Sequence, residues 1–259
     1  MIKSFTLPSR FMYLALLFFC FANQNLFSQS LDDLANEYGT DKGSNCGSSH
    51  HYTRHYEKLL GHLKNSKIKL LEIGTWKGYS LRMWVDYFPN AMIYSIDKNP
   101  LSAYVDAFDD TIDLYPIDFS HERVQYFVGN QSDPIFLNSV CSAIQGDLDV
   151  IIDDGSHKSY DQQMSFAKLF KKVKPGGLYI IENLNHHPQP NLKILEMQDI
   201  LIDFVNNEID QIDFSSYLDQ VSVADIKAAF NDIKNIQWFD SAFRAHGEMS
   251  FAVIRKKGA

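Results

Sequence analysis

Cysteine is scarce in this chain of 259 residues. There are three, Cys20, Cys46 and Cys141, with no CxxC pair and no Cys/His spacing of the zinc type, so neither a disulfide framework nor a structural zinc site holds the fold together. Positive charge is also short. Against 32 Asp and Glu stand 24 Lys and Arg, a formal net charge of −8, and a surface of that sign is not built to neutralise phosphates, which excludes nucleic acid as an expected partner. There is no GxGxxG and no P-loop lysine followed by Ser or Thr, which argues against nicotinamide dinucleotides and nucleoside triphosphates. Long apolar runs are missing too, apart from one near the start.

That run is residues 11–22, twelve apolar residues after Lys3 and Arg10 and before a polar stretch with Ser28 and Ser30. The order is that of a signal peptide. Twelve residues fall short of the roughly 17 that span a bilayer comfortably, so residues 1–30 are expected to be a cleaved signal or else a short membrane anchor. The rest of the protein would then be exported, touching a membrane through residues 11–22 if they are retained. A domain facing the cytoplasm is the alternative.

What is present is an ordinary globular composition, 45% apolar and 14% aromatic, long enough for one α/β domain over residues 31–259. Apolar runs at 68–73, 92–96, 124–128, 150–152 and 178–181 read as short buried strands, with helical stretches at 31–38, 51–63, 80–87, 134–144, 159–170 and 192–206. Strands joined by helices of this length predict a doubly wound, mostly parallel Rossmann-like sheet with helices on both faces. Residues 236–245 and 249–255, around His246-Gly247-Glu248, predict an antiparallel C-terminal hairpin at its edge. Residues 31–66 read as an N-terminal helical cap containing a Gly-rich loop able to act as a lid.

In such a sheet the ligand lies beyond the carboxyl ends of the strands, so the residues just after each strand carry the information. After the first come Glu72, Gly74 and Gly78, an acid beside a turn that needs sharp chain reversal and little side-chain bulk. Asp97 ends the second strand, nineteen residues after Gly78, where a carboxylate can accept hydrogen bonds from both hydroxyls of a ribose. After the third strand, Asn130 stands in a polar loop, 129–133, suited to an adenine edge. After the fourth is Asp153-Asp154-Gly155-Ser156-His157, where a carboxylate and an imidazole three residues apart can converge on one hydroxyl as metal ligand and general base.

These positions together resemble a class I methyltransferase dependent on S-adenosylmethionine. The strings DDGSH at 153–157 and GTDKGS at 39–44, with His51-Tyr52, resemble the subgroup of macrolide sugar O-methyltransferases and cephalosporin hydroxylase-like proteins. The resemblance implies that Glu72, Gly74, Gly78 and Asp97 bind the donor; Asn130 and Asp153 are expected to join them, and Asp154 and His157 are expected to be catalytic. It also implies Mg²⁺ held by Asp154 and by a Glu-Asp pair after the fifth strand. Here that pair is Glu182-Asn183, and a neutral amide replaces a carboxylate, which weakens a hard-cation site or removes it.

Two functions follow as expectations. One is transfer of a methyl group to a hydroxyl of a sugar, a glycan or another small polar acceptor, with Mg²⁺ assistance left open by Asn183. The other is a non-catalytic, repurposed ligand-binding domain on the same fold, motivated by the export signal, since the donor is made in the cytosol.

Overall fold

In a computed structural model the chain divides into Met1–Ser30 and Leu31–Ala259. The structure describes residues 29–45, 50–100, 103, 121–184, 196–206, 208, 220–240 and 249–258. The apolar segment at 11–22 and the proposed hairpin turn at 246–248 lie outside the described residues.

In chain order the elements are α1 (Leu31–Tyr38), α2 (Thr53–Leu60), β1 (Lys69–Ile73), α3 (Tyr79–Tyr87), β2 (Met92–Asp97), β3 (Val124–Val128), α4 (Pro134–Ala143) and β4 (Leu148–Asp153). They continue with α5 (Ser159–Leu169), β5 (Val173–Glu182), α6 (Met197–Val205), α7 (Gln220–Asn231), β6 (Ile233–Asp240) and β7 (Met249–Lys256). The seven strands form one sheet in the order β3-β2-β1-β4-β5-β7-β6. The first five are mutually parallel, and β7 runs antiparallel to both β5 and β6. This is the mixed doubly wound sheet the sequence predicts.

Alternation along the buried strands sorts the core into two layers. Leu71, Ile73, Tyr94, Ile96, Ile151, Tyr179 and Ile181 pack on one side against residues of α4, α5, α6 and α7. Leu70, Ile93, Val150, Ile152, Ile180 and Val253 pack on the other against α1, α2 and α3. At about 25 cal/mol per Å² of apolar surface removed from water, these two layers are the main source of stability in a chain without staples. The hairpin is antiparallel as expected, but β6 begins three residues earlier than the sequence suggests. Helix α7 was not anticipated at all.

The order of strand addition reverses between β1 and β4, since β2 and β3 lie on one side of β1 while β4 and β5 lie on the other. The crevice at that switch point is where such sheets take ligands. Two local devices shape it. Gly74 adopts φ +89°, and a Cβ there would sit 2.0 Å from the Asp154 carbonyl oxygen, so the turns leaving β1 and β4 approach closely only because the residue is glycine. Gly78, at φ 81°, reverses the chain into α3.

A candidate active site at the sheet switch point

A cavity of about 500 Å³ opens at this crevice, lined by Thr40 to Lys42, the 73–76 turn, residues 96–99, Gly129 to Gln131, Asp154 to His157 and Asn183. Its size lies in the range of small-molecule sites, roughly 300–1,000 Å³. Of the residues singled out from sequence, Gly74, Asp97, Asn130, Asp154, His157 and Asn183 line it. Glu72, Gly78, Asp153 and Glu182 do not; they sit behind the wall and act on it through other groups.

Asp97 shows how the far side is built. Its Oδ2 accepts from the backbone N–H of Thr75 at 3.0 Å and of Trp76 at 2.8 Å, and its Oδ1 accepts from Asn99 N–H at 2.9 Å. The carboxylate that ends β2 therefore fixes the turn leaving β1 while still facing the cavity. Trp76 lies in that turn at φ 45° with 57% of its surface exposed. Asn130 holds its own loop, its Oδ1 accepting from Ser132 N–H at 3.0 Å. Gln131 ties this loop to the β4 turn, taking Ser156 N–H on Oε1 at 2.7 Å and donating to Asp153 Oδ1 at 3.2 Å.

Beneath the wall, Glu72 is fully buried and accepts from Trp84 Nε1 at 3.0 Å and Ser80 Oγ at 2.9 Å, both on α3. Burial pushes its carboxyl up to about 7, against the lowering pull of Lys42 and the two donors. Asp153, also fully buried, accepts from Ser165, from Tyr179 at 3.2 Å and from Gln131, and burial raises it to about 6 despite those donors.

The near side is a tight cluster. Asp154 Oδ1 lies 3.2 Å from His157 Nε2 and 3.3 Å from Asn183 Nδ2, while its Oδ2 accepts from Lys42 Nζ at 2.5 Å. Burial works against the charged form, yet Lys42 and His157 hold the Asp154 carboxyl well below the usual carboxylate range. His157 moves the other way: burial pulls its imidazole down, but the hydrogen bond and charge of Asp154 outweigh it and raise it above 6.5. His157 and Asn183 both hold left-handed backbone, φ 60° and 52°, a cost of order 1–3 kcal/mol each that is characteristic of functional sites. Tyr52 donates its hydroxyl to Asn183 Oδ1 at 3.1 Å, which turns the amide N–H₂ toward Asp154 and His157.

The residue that sequence reasoning missed is Lys42, read there only as part of a lid. It is 1% exposed, and its ammonium bridges Asp154 to Glu182 Oε2 at 2.9 Å. Tyr56 donates to the other Glu182 oxygen. Burial, with Asp154 across the ammonium, keeps the Glu182 carboxyl above its ordinary range, although Lys42 and Tyr56 pull it back. Charge is the signal in the sequence that was passed over: the carboxylates Glu72, Asp154 and Glu182, at or near strand ends, need a cation near them, and GTDKGS carries one.

The metal set expected from Asp154, Glu182 and Asn183 meets this arrangement directly. The three side chains are brought together, but every carboxylate oxygen already accepts a hydrogen bond from Lys42, Tyr56, His157 or Asn183. Among the described residues no group of three or more His, Cys, Asp and Glu side chains is placed to hold a metal ion. As arranged, the residues fit an ammonium in that place and not a divalent cation.

Comparison with known proteins agrees with the fold. A family model described as a methyltransferase domain matches residues 71–184. Mycinamicin VI 2''-O-methyltransferase of Micromonospora griseorubida is 35% identical over 161 residues, 60% of this chain and 36% of that protein. Demethylmacrocin O-methyltransferase of Streptomyces fradiae is 36% identical over 164 residues, again 60% and 36%. The chain thus spans little more than a third of the length of the curated relatives it matches. Among solved structures, a MycE methyltransferase from the mycinamycin biosynthetic pathway, in complex with Mg and SAH, has a TM-score of 0.61 at 25% identity and covers 90% of this chain and 56% of its own. The chain is thus similar, over residues 71–184 in sequence and across its sheet in fold, to proteins described as methyltransferases.

Proposed function

We propose that the protein transfers a methyl group from S-adenosylmethionine to a hydroxyl of a sugar or another small polar acceptor. The observation that carries this reading is the placement, across one cavity, of the Asp97 carboxylate on one wall and the Asp154–His157 pair on the other. Two relatives are named as O-methyltransferases, one of mycinamicin VI at a 2'' position and one of demethylmacrocin. Residues 1–30 fit the same proposal as an export signal or short anchor placing the domain beyond the cytoplasm.

Asp97 is suited to the donor's ribose, because its carboxylate is fixed by three backbone N–H groups at the cavity wall, where it can face hydroxyl donors. Gly74 leaves room beside it for the methionine part, and the 129–131 loop for the adenine. When bound, the donor supplies an electrophilic methyl on a sulfonium, whose S–C bond breaks with its electron pair left on sulfur as the new O–C bond forms. The chain's share is alignment and the fate of one proton. With Nε2–H given to Asp154, the lone pair of His157 is on Nδ1, and the imidazole takes the hydroxyl proton as general base. Asp154 stabilises the imidazolium so formed and fixes the tautomer.

Titration of S-adenosylmethionine into the protein by calorimetry, followed by turnover with sugar acceptors, tests this. Binding is expected in the wild type and in His157→Ala but not in Asp97→Ala, and turnover is expected to fall about 10²–10⁴-fold in His157→Ala. A folded wild type that ignores the donor would sink the reading, and full turnover in His157→Ala would remove the base from His157. Because Asp154 raises the imidazole, the acid limb of the pH–rate profile is expected above 6.5.

A further inference from the structure

We propose that Lys42 is a resident cation, seated between Asp154 and Glu182 where a divalent metal would otherwise sit, and that acceptor activation in this protein relies on its ammonium. The inference rests on the methyl-transfer reading for its chemistry but not for its geometry. Lys42 Nζ lies 2.5 Å from Asp154 Oδ2 and 2.9 Å from Glu182 Oε2, with the lysine side chain 1% exposed. No divalent ion shares two carboxylates with an ammonium at those distances, since ion and ammonium would occupy the same space and repel. The remaining oxygens are committed as well, Glu182 Oε1 to Tyr56 and Asp154 Oδ1 to His157 and Asn183.

The lysine is delivered by a fastened loop. Its carbonyl accepts from Thr53 N–H at 3.0 Å, at the start of α2, and Gly43 N–H bonds Thr40 O at 3.2 Å. Asp32 on α1 collects Ser44 Oγ at 2.6 Å, Thr53 Oγ1 at 2.6 Å and Asn36 Nδ2 at 3.1 Å. Asn36 Oδ1 in turn accepts from the backbone N–H of Ser44 and Asn45, each at 2.9 Å. These side-chain and backbone hydrogen bonds hold residues 40–45 against α1 and α2, so the ammonium arrives at the carboxylates already positioned.

Burial alone would strip a lysine of its proton, but Asp154 and Glu182 reverse the sign and keep the ammonium charged at any physiological pH. Of its three N–H donors, two have acceptors among the described residues. Lys42 also lines the cavity, which leaves one N–H for an acceptor oxygen. Donated to the hydroxyl under attack, it stabilises the charge that grows on oxygen as His157 removes the proton, the service a hard cation performs elsewhere. The balance is unchanged: O–H proton to His157, O–C bond made, S–C bond broken.

Calorimetric titration of Mg²⁺ and Mn²⁺ into the full-length protein, without donor, gives a readout independent of turnover. The wild type is expected to show no saturable binding up to millimolar ion, and its turnover to be the same in EDTA as in Mg²⁺. Lys42→Met, which removes the ammonium and keeps the stem, is expected to bind Mn²⁺ at least tenfold more tightly, with the gain lost on adding Asp154→Asn. Saturable Mg²⁺ binding by the wild type that disappears in Asp154→Asn would overturn the proposal, as would EDTA-sensitive turnover restored by Mg²⁺. A folded Lys42→Met that takes up no ion would overturn it too. Should that variant not fold, the wild-type titration still decides, and a wild type that fails to bind S-adenosylmethionine would count against the methyl-transfer reading alone.

Discussion

Replacing Glu72 with glutamine separates what its charge does from what its shape does. The carboxyl is fully buried, with Trp84 Nε1 at 3.0 Å and Ser80 Oγ at 2.9 Å. Glutamine keeps both partners, its Oε1 accepting from Trp84 and its amide N–H donating to the Ser80 hydroxyl, which can rotate to accept. Burial raises the carboxyl from 4.5 to about 7. A carboxyl raised in the folded state stabilises fully below the unfolded value and loses that contribution as pH climbs through the folded one. At about 1.4 kcal/mol per pH unit the loss between pH 4.5 and pH 7 is about 3 kcal/mol. Glu72→Gln is therefore expected to match the wild type at pH 4.5 and to exceed it by about 3 kcal/mol at pH 8 in urea unfolding followed by circular dichroism. The acid limb cancels in the comparison, because Asp154, held low, loses its contribution as pH falls in both proteins. Parallel stability curves from pH 4.5 to 8 would refute a raised Glu72, and a lower Glu72→Gln curve throughout would refute the hydrogen-bond exchange with Ser80.

Gly74→Ala puts a Cβ 2.0 Å from the Asp154 carbonyl at φ +89° and is expected to cost on the order of 4 kcal/mol, read by urea midpoint; a loss below about 1 kcal/mol would mean that the two turns separate easily. Asn183→Asp adds a carboxylate beside Asp154 and His157, 3.3 Å from each, and is expected to move the acid limb of the pH–rate profile further upward. A limb that stays in place would show that His157 is not the group whose protonation it reports.

The strand series was legible because each buried strand is a short apolar run between helical stretches, and the strand ends followed from it, which is why Gly74, Asp97, Asp154 and His157 were found in their places. Helix α7 was not, although Val223, Ile226 and Phe230 fall on one face of it, because its β-branched residues dilute the helical signal. Glu72 and Asp153 were expected to touch the donor and instead lie behind the wall. A strand's alternation decides which way its last side chains point, and a one-residue difference moves a side chain to the other face. Lys42 was hidden for another reason: its partners are 112 and 140 residues away in sequence, and no local periodicity records a contact of that range. The left-handed backbone at Trp76 left no trace in residue type, whereas Asn183 and His157 are of types that adopt it more readily than most.

The position of Lys42 bears on what the smallest working unit is. The stretch matched by the methyltransferase family model, residues 71–184, contains Asp154 and Glu182 but not the cation between them. Cut at residue 71, those carboxylates would lose Lys42, and Glu182 would also lose the Tyr56 hydroxyl. Leaving one member of a buried ion pair uncompensated costs about 3–5 kcal/mol, a large fraction of the roughly 5–15 kcal/mol that separates a folded domain from its unfolded chain. The same cut would strip Tyr52 and Tyr56 from Phe251 of β7, against which both rings pack within about 5 Å. Helices α1 and α2 are thus part of the core and of the site at once: they cover one face of the sheet, and the loop between them brings a buried ammonium that, with His157, lets the acidic side chains at the ends of β4 and β5 lie together.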